Sequence, residues 1–247
     1  MQQNRIGHKI QWFNELDSTN DYASAIAKDS LSHGVVVATH FQKAGRGQRG
    51  NQWESALGLN LLFSVILKPH FLEVQKQFLL SKAVALSLCD VIADIVSGVS
   101  IKWPNDIYVN DKKVAGILIE HSFSSAMLDT SIVGVGLNVN QAEFAESIPN
   151  PTSLLLEQGE VLGVKHLLQG ICDALDKRYS QLFSEEKRIS ESYIERLYRY
   201  EKYYSFKANN KMFVAKIVGV RNSGELILET SEGKTFEYAF KEIEYVL

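Results

Sequence analysis

Three glycines and two arginines fall within one short stretch, Gly45-Arg46-Gly47-Gln48-Arg49-Gly50. Arginine carries a planar, permanently charged fork that matches carboxylate and phosphate oxygens. Glycine lets the backbone turn sharply and come close to a ligand. Together they are suited to binding an anion. The stretch sits inside a longer segment, 42–53, that connects two apolar runs, 35–39 and 59–67. Both runs read as buried strands. A connection of this length inside a compact domain is often functional. The spacing also satisfies G-x-G-x-x-G, but that fingerprint needs a helix at the last glycine and an acid about 20 residues on. Here Trp53 and a strand follow, and His70 stands where the acid should be. Dinucleotide binding is therefore rejected, and without Gly-Lys-Ser/Thr so is a P-loop.

Other segments add candidate chemistry. Asp17-Ser18-Thr19-Asn20-Asp21 precedes an apolar helical face made by Tyr22, Ala23, Ile26 and Ala27. Ser18 and Asp21 have the spacing of a capping box, and hydroxyls at a helix start also offer donors to a small polar ligand. Lys102-Trp103-Pro104-Asn105-Asp106 closes a short strand, where proline forces a turn. Lys113 begins the second strand of a hairpin, where it could point across the sheet, and leads into Val114-Ala115-Gly116; by its own chemistry it reads first as a solvated turn lysine. Gly134 and Gly136 share one face of a strand that ends near Asn138, so a packed element or a ligand can approach that face closely.

The elements needed to position these groups follow from periodicity. A short strand covers 9–16. Helices are expected over 73–96, 162–183 and 187–203, with a further short one opened by Thr152 or Ser153. From about Ser205 the texture becomes short strands separated by Asn209-Asn210, Asn222-Ser223-Gly224 and Ser231-Glu232-Gly233, the pattern of a small antiparallel barrel. The chain therefore divides at about residue 204, into 1–204 and 205–247.

Its 247 residues suffice for one main domain and a small one, and 45% hydrophobic with 22% charged is ordinary globular composition. A net charge of −3 argues against nucleic acid as the main partner. Cys89 and Cys172 lie in apolar helical patterns and read as buried free thiols, which suits a reducing cytoplasm. The first ten residues hold no apolar leader, and no apolar run approaches the ~20 residues of a membrane span.

Taken in order, Asp17-Ser18-Thr19-Asn20, Gln42-x-Ala44-Gly45-Arg46-Gly47, Trp53-x-Ser55, Lys102-Trp103-Pro104-Asn105-Asp106, Lys113-x-Ala115-Gly116-Ile117-Leu118-Ile119-Glu120 and Gly134-x-Gly136-x-Asn138 resemble the biotin–protein ligases. The resemblance runs from about Ile10 to the C-terminus. It implies an α/β fold: a mixed-sheet, class II synthetase-like catalytic domain followed by an SH3-like barrel. It also implies a two-step reaction. The carboxylate of biotin attacks the α-phosphorus of Mg2+-bound ATP, and a lysine of a biotin carboxyl carrier protein or domain then takes the biotinyl group. Arg46 and Lys113 would be the catalytic cations. Ser18, Thr19, Asn20, Gln42, Gly45, Arg46, Gly47, Gln48, Trp53, Lys113 and Gly116 would hold biotin. Arg46, Arg49, Lys102, Asn105, Asp106, Lys113 and Asn138 would hold ATP. The metal ligands are not assigned.

Two departures from the family pattern stand out. Gln48 occupies a position where many relatives carry arginine, which removes a positive charge unless Arg49 compensates. The lead before the first strand also leaves no space for an N-terminal DNA-binding domain, so a ligase-only form is expected, cytoplasmic, monomeric or homodimeric, with no nucleic-acid or membrane partner. A lipoate–protein ligase shares a related fold and chemistry and is the main alternative. A non-enzymatic biotin-binding regulator and a plain interaction domain are further ones.

Overall fold

The computed structural model describes residues 4–246. Strands β1 (Lys9–Phe13), β2 (Val35–Thr39), β3 (Leu61–Leu67), β4 (Val99–Lys102), β5 (Asp106–Val109), β6 (Lys112–Ser124) and β7 (Met127–Leu137) form one sheet. Their order is β1-β2-β3-β7-β6-β5-β4, parallel between β1 and β2 and antiparallel elsewhere. The mixed sheet is thus as expected.

Side-chain alternation along the strands assigns the two faces. Val36, Ala38, Phe63, Val65, Val133 and Val135 enter the main core, with helix α2 (Phe78–Ala93) and helix α4 (Val164–Gln181) packed over it. Val35, Val37, Ile66 and Ile132 face the other way, onto Ala23 of helix α1 (Thr19–Ile26) and Ala27 that caps it. The α1 face also carries the cross-strand rows Ser64–Gly134–Leu118 and Leu62–Gly136–Gly116. This face becomes the floor of the site.

Two helices differ from the sequence reading. The expected helix 73–96 is a 3-10 turn, Val74–Lys76, followed by α2. The expected helix 187–203 stops early, as α5 (Glu186–Glu195), after the short α3 (Leu154–Gln158) and α4. Beyond α5 the chain takes another role. Arg196 O accepts from Ile101 N at 2.8 Å and Tyr198 N donates to Ile101 O at 2.8 Å, so the tyrosine-rich segment covers the outer edge of β4. An open edge offers unpaired backbone groups, and covering it removes that liability.

The C-terminal strands β8 (Tyr204–Ala208), β9 (Lys211–Val220), β10 (Leu226–Thr230), β11 (Thr235–Tyr238) and β12 (Glu244–Tyr245) form a separate antiparallel sheet in the order β11-β10-β9-β8-β12. The sequence reading lacked β12, which is two residues long and has no pattern to read. Polar contacts tie this sheet to the rest. Trp103 Nε1 donates to Gly224 O at 2.9 Å, and Phe78 N to Asn222 O at 3.1 Å. Lys82, fully buried on α2, donates to Asn222 Oδ1 at 2.8 Å and Val220 O at 3.1 Å. Burial lowers its pKa to about 8. Both cysteines are buried and free, and burial pushes their thiols up to about 12, which keeps them protonated at neutral pH.

His33 gives the fold an acid-sensitive point. It is buried, and its Nδ1 accepts the backbone N–H of Lys68 at 3.0 Å, which places the ring proton on Nε2. Burial outweighs the attraction of Asp176 and lowers its pKa to about 4. Between that value and the ordinary 6.5, the unfolded chain binds a proton that the folded chain does not. The stabilisation is complete above about 6.5 and is lost as pH falls towards 4. The urea midpoint is expected to fall between pH 7.5 and pH 5, and His33→Gln is expected to shrink that fall. An equal fall in the variant would assign it to other groups.

Candidate active site

The site begins at the start of α1. Ser18 caps the helix, accepting from Asp21 N at 3.4 Å. Asp21 does not complete the box expected of it; its carboxylate meets Arg46 at 2.8 Å instead. The backbone N–H of Thr19 donates to Gln42 Oε1 at 2.8 Å, which joins the helix start to the glycine-rich loop. The loop is a hairpin closed by Trp53 N donating to Gly45 O at 2.9 Å and Gly47 N donating to Asn51 O at 2.7 Å.

The glycines have particular steric reasons. A Cβ on Gly45 would lie 2.4 Å from the backbone oxygen of Trp53. A Cβ on Gly136 would lie 2.3 Å from the Trp53 indole, and one on Gly116 would lie 2.9 Å from it. A Cβ on Gly134 would lie 2.2 Å from Asn20 Oδ1. The close approach expected at Gly134 and Gly136 is therefore made by α1 and by the tryptophan of the loop.

Behind Trp53 stand the cations. Lys113 Nζ is 5.6 Å from the indole centroid and 2.7 Å from Asp106 Oδ1, close enough for an ion pair yet off the line of a hydrogen bond. Lys102 donates to the Tyr108 hydroxyl at 2.9 Å and lies 5.2 Å from the centroid of Tyr245. Burial lowers its pKa, against the opposing pull of Asp106. Asn105 Nδ2 donates to Ile117 O at 2.8 Å and Asn138 Nδ2 to Thr152 O at 2.9 Å, so both amides pin neighbouring segments.

A cleft of about 930 Å3 unites these groups. Ser18, Thr19, Asn20, Gln42, Arg46, Gly47, Gln48, Trp53, Lys102, Asn105, Asp106, Lys113, Gly116 and Asn138 all line it. Gly45 lies behind the lining, and the side chain of Arg49 lies outside the described residues. The C-terminal sheet supplies a wall that the sequence reading did not include: Phe240, Lys241, Ile243, Glu244 and Tyr245. No local motif marks those five. Only the docking of one sheet on the other brings them in.

Besides Asp106 Oδ1, which has its ion pair with Lys113, three buried polar atoms in the cleft, Gln48 Oε1, Trp53 Nε1 and the Tyr245 hydroxyl, have no hydrogen-bond partner within the described protein. Native structures leave few such groups, and each calls for an explanation. A polar ligand in this cleft supplies one. Lysines at one end, hydroxyl and amide groups at the other, and a glycine floor between them suit a ligand with an anionic head and a polar tail. Among the described residues no group of three or more His, Cys, Asp or Glu side chains comes together as a metal site, and no helix is long and apolar enough to cross a membrane.

The sequence profile of the biotin/lipoate A/B protein ligase family matches residues 12–138, which contain every cleft residue expected from the sequence but not the C-terminal wall. The bifunctional ligase/repressor BirA of Bacillus subtilis is 31% identical over 237 residues, covering 92% of this chain and 71% of that one. The biotin–[acetyl-CoA-carboxylase] ligase of Paracoccus denitrificans is 36% identical over 148 residues, covering 58% of this chain and 60% of its own. Among solved structures, the biotin protein ligase of Aquifex aeolicus in complex with biotin and ATP superposes with a TM-score of 0.80 at 26% identity, over 97% of this chain and 100% of that one. With its profile match, a relative 31% identical over 71% of that relative's length and its shared fold, the chain belongs to the biotin/lipoate A/B protein ligase family.

Proposed function

We infer that the chain is an ATP-dependent biotin–protein ligase. The observation that carries the reading is the polarity of the cleft: Lys102 and Lys113 at one end, Thr19 and Gln42 at the other, joined across one glycine floor. The lysine end receives the biotin carboxylate and the triphosphate. The carboxylate oxygen attacks the α-phosphorus, the bond to pyrophosphate breaks, and biotinyl-5′-adenylate forms. Two anions must meet for this to happen, and fixed cations in a partly desolvated cleft stabilise the charge that moves. Lys113 and Arg46 are the cations proposed for that role. The amine of a carrier lysine then attacks the mixed anhydride, loses a proton and releases AMP.

Mg2+ is proposed to enter on the triphosphate. Magnesium keeps several waters and takes one or two carboxylates along with substrate phosphates, and Asp106 would offer one. The protein partner is proposed to be a biotin carboxyl carrier protein or domain. Incubation with biotin, ATP and a biotin carboxyl carrier domain should add one biotinyl group to the carrier, read by mass spectrometry. Transfer of lipoate or octanoate to a lipoyl domain, with no biotin transfer, would move the chain to the lipoate branch.

Gln48 allows a quantitative prediction. Its neutral amide gives no charge-assisted bond to a phosphate, whereas an arginine would. Gln48→Arg is expected to slow dissociation of preformed biotinyl-adenylate by about tenfold, the effect of one such bond at roughly 1.4 kcal/mol. Stopped-flow release against excess biotin measures it. An unchanged rate would mean that another cation, such as Arg49, already fills the place.

A further inference from the structure

A chain of polar contacts runs beneath the cleft, from its polar tail end to Arg46. Gln42 Oε1 lies 3.1 Å from the Thr19 hydroxyl, and the Thr19 and Ser64 hydroxyls lie 2.7 Å apart. Ser64 Oγ is 2.6 Å from Asn20 Oδ1. Asn20 Nδ2 donates to Glu120 Oε2 at 2.8 Å, and Glu120 accepts both arms of the Arg46 guanidinium at 2.9 and 2.7 Å. Thr19, Asn20 and Ser64 are buried; the chain opens to the cleft at the half-buried Gln42 and surfaces at its other end at Glu120 and Arg46, whose side chains are 41% and 40% exposed.

Counting hydrogens gives this chain a direction. An amide oxygen only accepts, so Ser64 must give its hydroxyl hydrogen to Asn20. Asn20 is oriented by that bond and by its own donation to Glu120. Gln42 is oriented by the Thr19 backbone N–H, which fixes its oxygen towards Thr19. The Thr19 hydroxyl then has one hydrogen and two acceptors, Ser64 Oγ and Gln42 Oε1. A ligand donor that occupies Gln42 Oε1 turns the Thr19 hydrogen to Ser64. Every bond from Thr19 through Ser64 and Asn20 to Glu120 then points the same way, and bonds in such a row strengthen one another.

We propose that Ser64, Asn20 and Glu120 are positioning residues that couple occupancy of the Thr19–Gln42 end of the cleft to the placement of Arg46. The proposal rests on the ligase reading for what occupies that end, and it reassigns Asn20. Its amide is engaged at both ends inside the protein and packs on Gly134, so it acts on the ligand through its neighbours. Ser64 carries no recognisable motif; it is one small residue in an apolar strand. Its hydroxyl on the α1 face is the feature that matters.

The test uses the full chain and two readouts. In protein without substrates, Ser64→Ala is expected to raise amide exchange through residues 45–53 by about tenfold while β7 amides stay unchanged, the result of losing roughly one hydrogen bond's restraint on the loop. In biotin-dependent pyrophosphate exchange, Ser64→Ala and Arg46→Ala are expected to be non-additive: alanine at Arg46 costs at least about threefold less in kcat/KM when Ser64 is already alanine. Unchanged loop exchange overturns the relay whatever the rates do. Raised loop exchange with effects that simply multiply also overturns the coupling and leaves Ser64 as a brace for the loop. If Ser64→Ala fails to fold, Glu120→Gln at the rim of the cleft takes its place in both readouts. Wild-type protein inert towards biotin would sink the ligase reading, while the exchange of residues 45–53 would still decide the relay.

Discussion

Lys113→Ala is expected to lower biotin-dependent ATP–pyrophosphate exchange by about 10²–10³-fold, the loss typical of one electrostatic stabiliser in an active site. The side chain of Lys113 is 29% exposed, its ammonium faces the Trp53 ring, and its carboxylate neighbour Asp106 is 22% exposed. In so screened a place, its charge acts on the reacting groups more strongly than a surface lysine would. Removal also leaves Asp106 without its counter-charge, an added repulsion for incoming phosphate. Lys113→Ala with Asp106→Asn should therefore recover part of the ATP binding lost in Lys113→Ala, but little of the chemical rate. Arg46→Ala should slow exchange by a similar factor. Its pairs with Glu120 and Asp21 are half exposed and contribute only about 0–1 kcal/mol each to stability, so the unfolding midpoint should hardly move. Near wild-type exchange in both single variants would remove both residues from the chemistry.

The sequence carried this site unevenly, for physical reasons. Residues whose chemistry is local were legible. A loop with three glycines and two arginines signals close approach and anion binding before any fold is known, and Val35–Thr39 was bounded correctly because five consecutive buried residues read as a strand. Gly134 and Gly136 pointed to a close approach, but not to whether a helix, a ligand or the loop's own tryptophan made it. That answer depends on where β7 lies relative to β6, which is a matter of sheet order. Ser64 and the 240–245 segment were illegible for the same reason. A serine in an apolar strand and a short C-terminal strand acquire meaning only when α1 and the two sheets are in place. Asp21 shows the opposite error. Its spacing from Ser18 fits a local cap, yet the loop arginine, reached only through the fold, is its partner.

The largest expected change in specificity follows from the polar tail end. Any carboxylate can be activated by Lys113 and Arg46, so selection of the acid must come from Thr19 and Gln42, with Ser18 beside them. Biotin offers them a ureido group with one carbonyl acceptor and two N–H donors. Lipoate offers a dithiolane with no such edge. Thr19 is buried, and its hydroxyl already lacks a hydrogen for one of its two acceptors, so a ligand without polar groups leaves this end under-satisfied. Each buried polar group left unpaired costs about 1–3 kcal/mol. Two such losses correspond to discrimination of roughly 10²–10⁴-fold, as in sites that read polar groups directly. Thr19→Val keeps the shape and removes the hydroxyl; Gln42→Leu removes the amide. Each is expected to lower kcat/KM for biotin by at least about tenfold and to leave any slow lipoate-dependent exchange unchanged or faster. The ratio of the two rates is the measurement, taken for the wild type and both variants with biotin, lipoate and octanoate. If both variants keep the wild-type preference for biotin, the acid is being chosen by the walls of the cleft, and Thr19 and Gln42 serve only to hold α1 against the loop.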